Sequence, residues 1–505
     1  MDYHDAYLKL CDRSKQISYL ASAMALLHWD QRTSIPPKGN AHRSDQLAAL
    51  AKMHHNLVTE SIVGDWLIEV EASPLTQDSL SVEAVNIREW RRAYDRAVKI
   101  PENLAVALAK LSSETQAVWE VARPRNDWPT LKPYLEEIFR LKREQAEVIG
   151  YENEPYDALL DSYEPGETAA NLGPIFHVLV EALVGFFQSI REKTPNMNLG
   201  LQCLNFPIDR QKAFAEFVAV AMGYDMAAGR LDVSAHPFTI GIGPGDVRIT
   251  TRYSENSFTE SFFGAVHETG HALYHQGLPL EHWGTPFCKP ISLGINESQS
   301  RMWENIVARS KAFWKYFYPK LQEIFPSFYA VPLEAFYAWI NKVTPSLIRT
   351  EADEVTYNLH VLLRFELEVM LCRGELEVED LPEAWNATMY KYLGIVPDSY
   401  SAGVMQDIHW PSGSIGYFPT YTLGNLYAAQ FFRRLDQEID GAKKYIERGN
   451  FAPILDWLRR NIHKQGMRYR PRELLRTVTD EDLNPSYFIQ YLREKYTEIY
   501  KGSLE

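Results

Sequence analysis

Apolar residues recur at three- and four-residue spacing through 76–120, 130–150, 170–192, 298–325, 332–373 and 425–447, with Pro and Gly as punctuation. That period matches the turn of an α-helix and commits most of the chain to amphipathic helices packed on one another. Hydrophobic residues are 46% of the 505 and charged residues 23%, so these helices have ample material for a core and a mostly disordered chain is excluded. At about 150 residues per domain the length has room for three domains. No repeat, low-complexity tract or Gly/Ser linker marks a cut, so 1–505 reads as one mostly helical domain.

Charge narrows the function classes. Asp and Glu total 66 against 52 Lys and Arg, a net charge of −14, and no Lys/Arg run offers a phosphate-tracking stripe. Nucleic acid and anionic membrane surfaces are therefore poor partners. The stretch 17–27 is fairly apolar and follows Arg13 and Lys15, but it runs into His28, Trp29 and Asp30 without a cleavage site and reads as an amphipathic core helix. No apolar run is expected to approach the ~20 residues that span a bilayer. Cys11, Cys203, Cys288 and Cys372 are dispersed, without a CxxC pair, which points to a reducing compartment and a cytoplasmic location.

One segment, 236–253 (HPFTIGIGPGDVRITTRY), has a period of two around Gly243, Pro244, Gly245 and Asp246, and predicts a β-hairpin. Alternation puts Val247, Ile249, Thr251 and Tyr253 on one face and Asp246, Arg248, Thr250 and Arg252 on the other. The polar face reads either as solvated surface or as an edge that meets substrate.

Chemistry concentrates at His267-Glu268-Thr269-Gly270-His271. Ser257 and Glu260 have the spacing of a capping box, Phe258, Phe262, Phe263, Val266 and Leu273 form an apolar stripe, and Gly277 and Pro279 stop the helix. His267 and His271 therefore lie one turn apart on one face of a helix of about five turns, where two imidazoles can converge on one metal ion. Glu268 is rotated off that pair and is placed to act on water as a base. Zinc hydrolases usually add a third protein ligand. With 25 residues of Gly- and Pro-bearing chain between it and His271, Glu297 opens the next helical run and is the candidate; alternatively it only pairs with Arg301 at i+4.

These motifs, with others spread along the chain, give a resemblance to a known family. HPF stands at 236–238, Asp-x-Arg-x-Thr at 246–250, HExxH at 267–271 and Glu-Ser-Gln-Ser-Arg at 297–301. Ile-Arg-x-x-Ala-Asp follows at 348–353 and Gly-x-x-Gln-Asp-x-His-Trp at 403–410, with Trp29-Asp30-Gln31, Pro36-Pro37 and Leu483-Asn484-Pro485 nearer the ends. Taken together the sequence resembles the carboxypeptidase Taq family of metallocarboxypeptidases over nearly the whole chain. It departs at Asn296, where the family commonly has His before the ligand glutamate; Asn can donate and accept but cannot become a cation.

The resemblance implies a mainly α, zincin-like fold with a long central cleft and a small β element beside the active site, the metal-binding core lying at about 231–425. It implies a cytosolic homodimer that removes C-terminal residues from peptides with broad side-chain tolerance. Zn2+, with Co2+ or another divalent ion also suited to such ligands, would be held by His267, His271 and Glu297. Arg349 would bind the terminal carboxylate, its rotamer held by Asp353 at i+4 unless the two form a plain helical ion pair. Arg248 is a second clamp, or a partner of Asp246. His236 either shapes the cleft or caps a turn. His409 and Tyr417, with Tyr421 as the alternative tyrosine, are typed to donate to the developing oxyanion. Two rival readings remain: a helical zinc oligoendopeptidase, and a catalytically idle, metal-stabilised peptide-binding protein.

Overall fold

The computed structural model describes residues 2–191 and 205–500; Cys203 and the last position of the 170–192 stretch lie outside them. Helices dominate, and the largest cluster of buried apolar side chains runs from Ala122 to Tyr500. Most of the expected helical stretches form, divided at their Pro and Gly. The 76–120 stretch becomes Val82–Lys99 and Glu102–Ala122, split at Pro101.

The 332–373 stretch is not continuous helix. It gives Leu333–Ile340, then irregular chain with a single 3-10 turn at Arg349–Glu351, then Tyr357–Arg373. Ala352 is extended after that turn, so Arg349 and Asp353 do not share a helix face. The N-terminal helix, Tyr3–Thr33, buries only Ala6, Leu10, Ser14 and Trp29; the 17–27 stretch is helical as expected but contributes nothing to the core. Ala169–Arg191, in contrast to the expectation of no such run, is long and apolar enough by length and composition to cross a membrane; its Leu172, Phe176, Leu179, Leu183 and Phe187 are buried in the main cluster.

The hairpin forms as β2 (Thr239–Gly243) against β3 (Asp246–Thr251), and β1 (Leu231–Val233) adds a parallel strand on the other side of β3. Thr239 pairs with Ile249 and Ile240 with Arg248, with an irregularity between Gly241 and Gly243. Three residues are too few for β1 to show a period in sequence. Val247, Ile249 and Thr251 face inward as expected. Thr250, assigned to the polar face, is also fully buried: its hydroxyl lies 2.7 Å from Ser234 Oγ and accepts the Phe238 N–H.

Three helices meet at the site. The motif helix, Phe258–Gly277, starts with Ser257 Oγ accepting the Glu260 N–H. The glutamate helix, Leu293–Arg301, starts with Ser292 Oγ accepting the Ile295 N–H and continues into a π-helical turn, Met302–Ala308. The tyrosine helix is Pro419–Glu438. They cross so closely that only glycine fits: a Cβ at Gly270 would sit 2.6 Å from Ser300 Cα, and one at Gly424 2.4 Å from Glu297 Cγ. These contacts set Glu297 opposite the two histidines.

Candidate active site

His267 and His271 stand on consecutive turns of the motif helix with ring centroids 4.9 Å apart. Glu297 Oε2 lies 3.8 Å from His267 Nε2 and 3.5 Å from His271 Nε2. The pairing with Arg301 forms through the other oxygen, Oε1, which accepts from Arg301 Nε at 2.7 Å and leaves Oε2 facing the imidazoles. Burial would raise the Glu297 pKa, but Arg301 and the two imidazoles outweigh it and hold the carboxyl well below the usual range. Two imidazole nitrogens and one carboxylate oxygen, all within 4.8 Å of one another, fit the donor set of a divalent-metal hydrolase site.

The far side of each imidazole is also engaged. His267 Nδ1–H donates to Glu304 Oε2 at 2.9 Å, and His271 Nδ1–H donates to Asn296 Oδ1 at 3.1 Å. Each bond leaves Nε2 with its lone pair toward the shared space, which fixes tautomer and ring orientation. Asn296 thus has a defined place: it orients His271. Burial alone would raise Glu304, but the His267 bond and the Arg301 charge bring it down to about 2. A cavity of about 290 Å³ adjoins the group, bounded by Arg301, Glu304, Asp353, Tyr357 and Asn425 among others.

Glu268 is buried beside this group, and Thr239 Oγ1 on β2 donates to its Oε2 at 2.6 Å. The small sheet therefore borders the site. On β3, Arg248 is bound by Asp246 at 2.7 and 2.8 Å, and its guanidinium lies 5.5 Å over the buried ring of Trp29. His236 is exposed in the turn before β2; its carbonyl accepts from Ser234 Oγ, and among the described residues its ring has no hydrogen-bond partner.

Arg349 is buried, and its partner is not Asp353 but Asp407. Asp407 Oδ1 accepts from Arg349 Nε at 3.0 Å and Nη2 at 2.8 Å, while Tyr357 Oη accepts from Nη1 at 3.0 Å. Asp407 Oδ2 accepts from Arg364 Nε at 2.7 Å. Asp353 instead accepts backbone N–H groups of Thr344, Val355 and Thr356 and caps the turn before Tyr357–Arg373. Tyr357 links the two halves of the site, since the Arg301 guanidinium lies 4.4 Å over its ring.

His409 and the two tyrosines gather against Arg349. His409 Nε2 and Tyr421 Oη are 3.1 Å apart, and the Tyr417 ring is 5.2 Å from His409 and 5.3 Å from Tyr421. Burial, with the Arg349 charge, lowers the His409 pKa to about 3, so this imidazole is neutral at working pH. Burial pushes Tyr417 up to about 12 and raises Tyr421 well above its ordinary range, keeping both as hydroxyl donors.

A family model described as carboxypeptidase Taq (M32) metallopeptidase matches residues 9–496. The chain belongs to that family. It is a metallocarboxypeptidase. Thermostable carboxypeptidase 1 of Thermus thermophilus is 52% identical, the alignment covering 98% of this chain and 99% of that one. Carboxypeptidase 1 of Bacillus subtilis is 37% identical over 99% of this chain and 100% of its own. The crystal structure of an M32 carboxypeptidase from Deinococcus radiodurans superposes with a TM-score of 0.94 at 35% identity, over 98% of this chain and 99% of that one.

Within this M32 carboxypeptidase, sequence reasoning missed Glu304, Tyr357, Thr239 and the role of Asp407. Asp407 stood inside a quoted motif, and only its pairing was hidden. Glu304 lies seven residues beyond Glu297, two turns on, and the π-helical turn brings it to His267. Thr239 and Tyr357 carried no signal beyond their residue types.

Proposed function

We propose that this enzyme releases C-terminal amino acids from peptides with broad side-chain tolerance, using Zn2+ held by His267, His271 and Glu297, with Co2+ or another divalent ion as a substitute. The reading is carried by one observation: the Glu297 carboxylate comes within 3.5 and 3.8 Å of both imidazoles of an HExxH helix. When bound, the ion would acidify water and polarise the scissile carbonyl. Glu268 takes the proton from the attacking water and delivers it to the departing amine. Thr239, donating to one Glu268 oxygen, leaves the other for that work.

Arg349 takes the substrate's terminal carboxylate. Of its five N–H groups, Nε, one on Nη2 and one on Nη1 are used by Asp407 and Tyr357, which leaves one on each Nη for a carboxylate. Arg248, steadied by Asp246 and Trp29, is a second anchor along β3, and His236 lines the approach. His409 and Tyr417 donate to the oxyanion as neutral groups, with Tyr421 tying them together. We place the whole reaction in a single domain, 1–505, with its metal-binding core at about 231–425, in a cytosolic homodimer whose partners are peptides and not nucleic acid or membrane.

The oligoendopeptidase reading is disfavoured by the buried Arg349, because an enzyme that cuts inside peptides has no need of a carboxylate clamp. The idle binding protein is disfavoured by Glu268, which a purely structural metal site would not use. The test is to incubate metal-loaded protein with an N-blocked dipeptide and its C-terminally amidated twin. Amino acid released from the free acid alone supports the reading, and cleavage of both at internal bonds overturns it. Glu268→Gln should retain the metal and lose turnover, and an active variant removes the assignment of the base.

A further inference from the structure

Residues 395–418, between the helices Leu381–Leu393 and Pro419–Glu438, carry Asp407, His409 and Tyr417 and contain no regular helix or strand. Their backbone is held by turn bonds such as Ser412 N–H to the Ile408 carbonyl and Ser414 N–H to the His409 carbonyl. A chain of this length without regular structure keeps one conformation only if side chains outside it take up its polar groups.

Two residues one turn apart on Tyr357–Arg373 do so. Arg364 holds Asp407, as described above. Glu368, fully buried, accepts from Trp410 Nε1 at 2.9 Å through Oε1, and from the Gly416 N–H at 3.1 Å and Tyr156 Oη at 2.9 Å through Oε2. Trp410 directly follows His409, and Gly416 directly precedes Tyr417. Gly416 has φ +88° and lies so close to Leu160 that a Cβ would come within 2.8 Å of its backbone nitrogen, so this amide has no alternative path.

We propose that Glu368 is a positioning residue for the reaction: by holding Trp410 and Gly416 it sets His409 and Tyr417 in the geometry that meets the transition state. Three donors converge on it, and a carboxylate accepts all three. Glutamine, of the same shape, would set its own amide N–H groups against at least one of them. Burial pushes the Glu368 carboxyl up to about 7, while Trp410, Tyr156, Gly416 and the Arg364 charge pull the other way, toward the carboxylate form that accepts all three donors. The inference rests on the reading of His409 and Tyr417 given under Proposed function.

The test compares metal-loaded wild type with Glu368→Gln on the free-acid dipeptide, and follows hydrogen exchange by mass spectrometry. The expected result is kcat lowered tenfold or more with KM within twofold, metal content unchanged, and faster exchange in 403–418 but not in the motif helix. Trp410→Phe, which removes a single donor, should lower kcat several-fold in the same pattern and serves if Glu368→Gln does not fold. A kcat within twofold of wild type, or exchange unchanged in 403–418, overturns the proposal. If the wild type releases nothing from the free acid, the functional reading fails, while the exchange result still decides whether Glu368 holds the segment.

Discussion

Asp407 binds Arg349 through a single oxygen, Oδ1, which accepts from both Nε and Nη2 at 3.0 and 2.8 Å. Its other oxygen is occupied by Arg364, so one carboxylate is shared by two buried guanidiniums. Burial would raise the Asp407 pKa, but Arg349 and Arg364 outweigh it and hold the group far below the usual range. The arrangement fixes the Arg349 guanidinium through Asp407 and Tyr357.

Arg349→Ala should raise KM for free-carboxylate peptides by about 10- to 100-fold, the equivalent of a lost charge-assisted hydrogen-bond pair. Asp407→Asn should do the same in smaller measure, because the guanidinium stays but is no longer locked. Amidated peptides should be as poor as before with either variant. Steady-state kinetics on the paired substrates checks this, and an unchanged KM for Arg349→Ala removes the clamp.

Glu304→Gln should weaken metal binding about 10- to 100-fold, as is usual when the group orienting a ligand histidine is changed. The measurement is competition with a chelator of known affinity, so activity is not needed as the readout. Equal retention of metal by variant and wild type would show that Glu304 does not orient His267.

Asn296→His should make metal retention and the pH–rate profile depend on pH in a new way. Asn296 accepts from His271 Nδ1–H at every pH, whereas a histidine there can accept only while neutral, and an ordinary imidazole takes its proton below about 6.5. Metal should be lost from the variant at pH 5.5 under chelator conditions that the wild type survives. Superimposable profiles would mean that the departure at this position is silent.

Tyr417→Phe should lower kcat by about 100-fold, the typical cost of one oxyanion donor, with little change in KM. Tyr421→Phe, acting through its contact with His409 and Tyr417, should be the milder change. The reverse order would transfer the donor role to Tyr421.

Four histidines should cost the fold stability as pH falls below about 6.5, against the opposite contribution of Glu368, whose raised pKa takes up its proton first in the folded state. Burial lowers His360, His409 and His463 to about 3 and His275 to about 4, while the same residues in an unfolded chain take up protons below about 6.5. The unfolded state then binds more protons than the folded one, so stability falls as pH drops below 6.5, by up to about 1.4 kcal/mol per pH unit for each such histidine. Urea midpoints of the metal-free protein between pH 7.5 and 5 measure the slope. His463→Gln, which can keep a hydrogen bond to Gln299, should reduce it.

The cluster of His267, His271 and Glu297 was legible because its two histidines are one helical turn apart and the helix announces its own start and stop. Helical spacing at 298–325 also placed Glu297 on a following helix. The failures share a physical cause. Arg349 and Asp353 are four residues apart, which suggests a helical pair, but the turn at Arg349–Glu351 ends before Asp353, and the true partner is 58 positions away. The 17–27 stretch has helical spacing and forms helix, yet its side chains are at most half-buried; spacing reports the element and is silent on how deeply its neighbours cover it.

The sequence by itself determined most of the helices, the hairpin, the placing of the HExxH motif on one helix and the family, because each rests on local periodicity or on motifs that survive as words. Only the tertiary structure decided that Glu304 and Asn296 orient the two imidazoles, that Asp407 holds Arg349, and that His409 is neutral. Those facts depend on which distant groups face one another and how much water is excluded around them. Burial and long-range pairing are properties of the packed chain and leave no mark on the order of its residues.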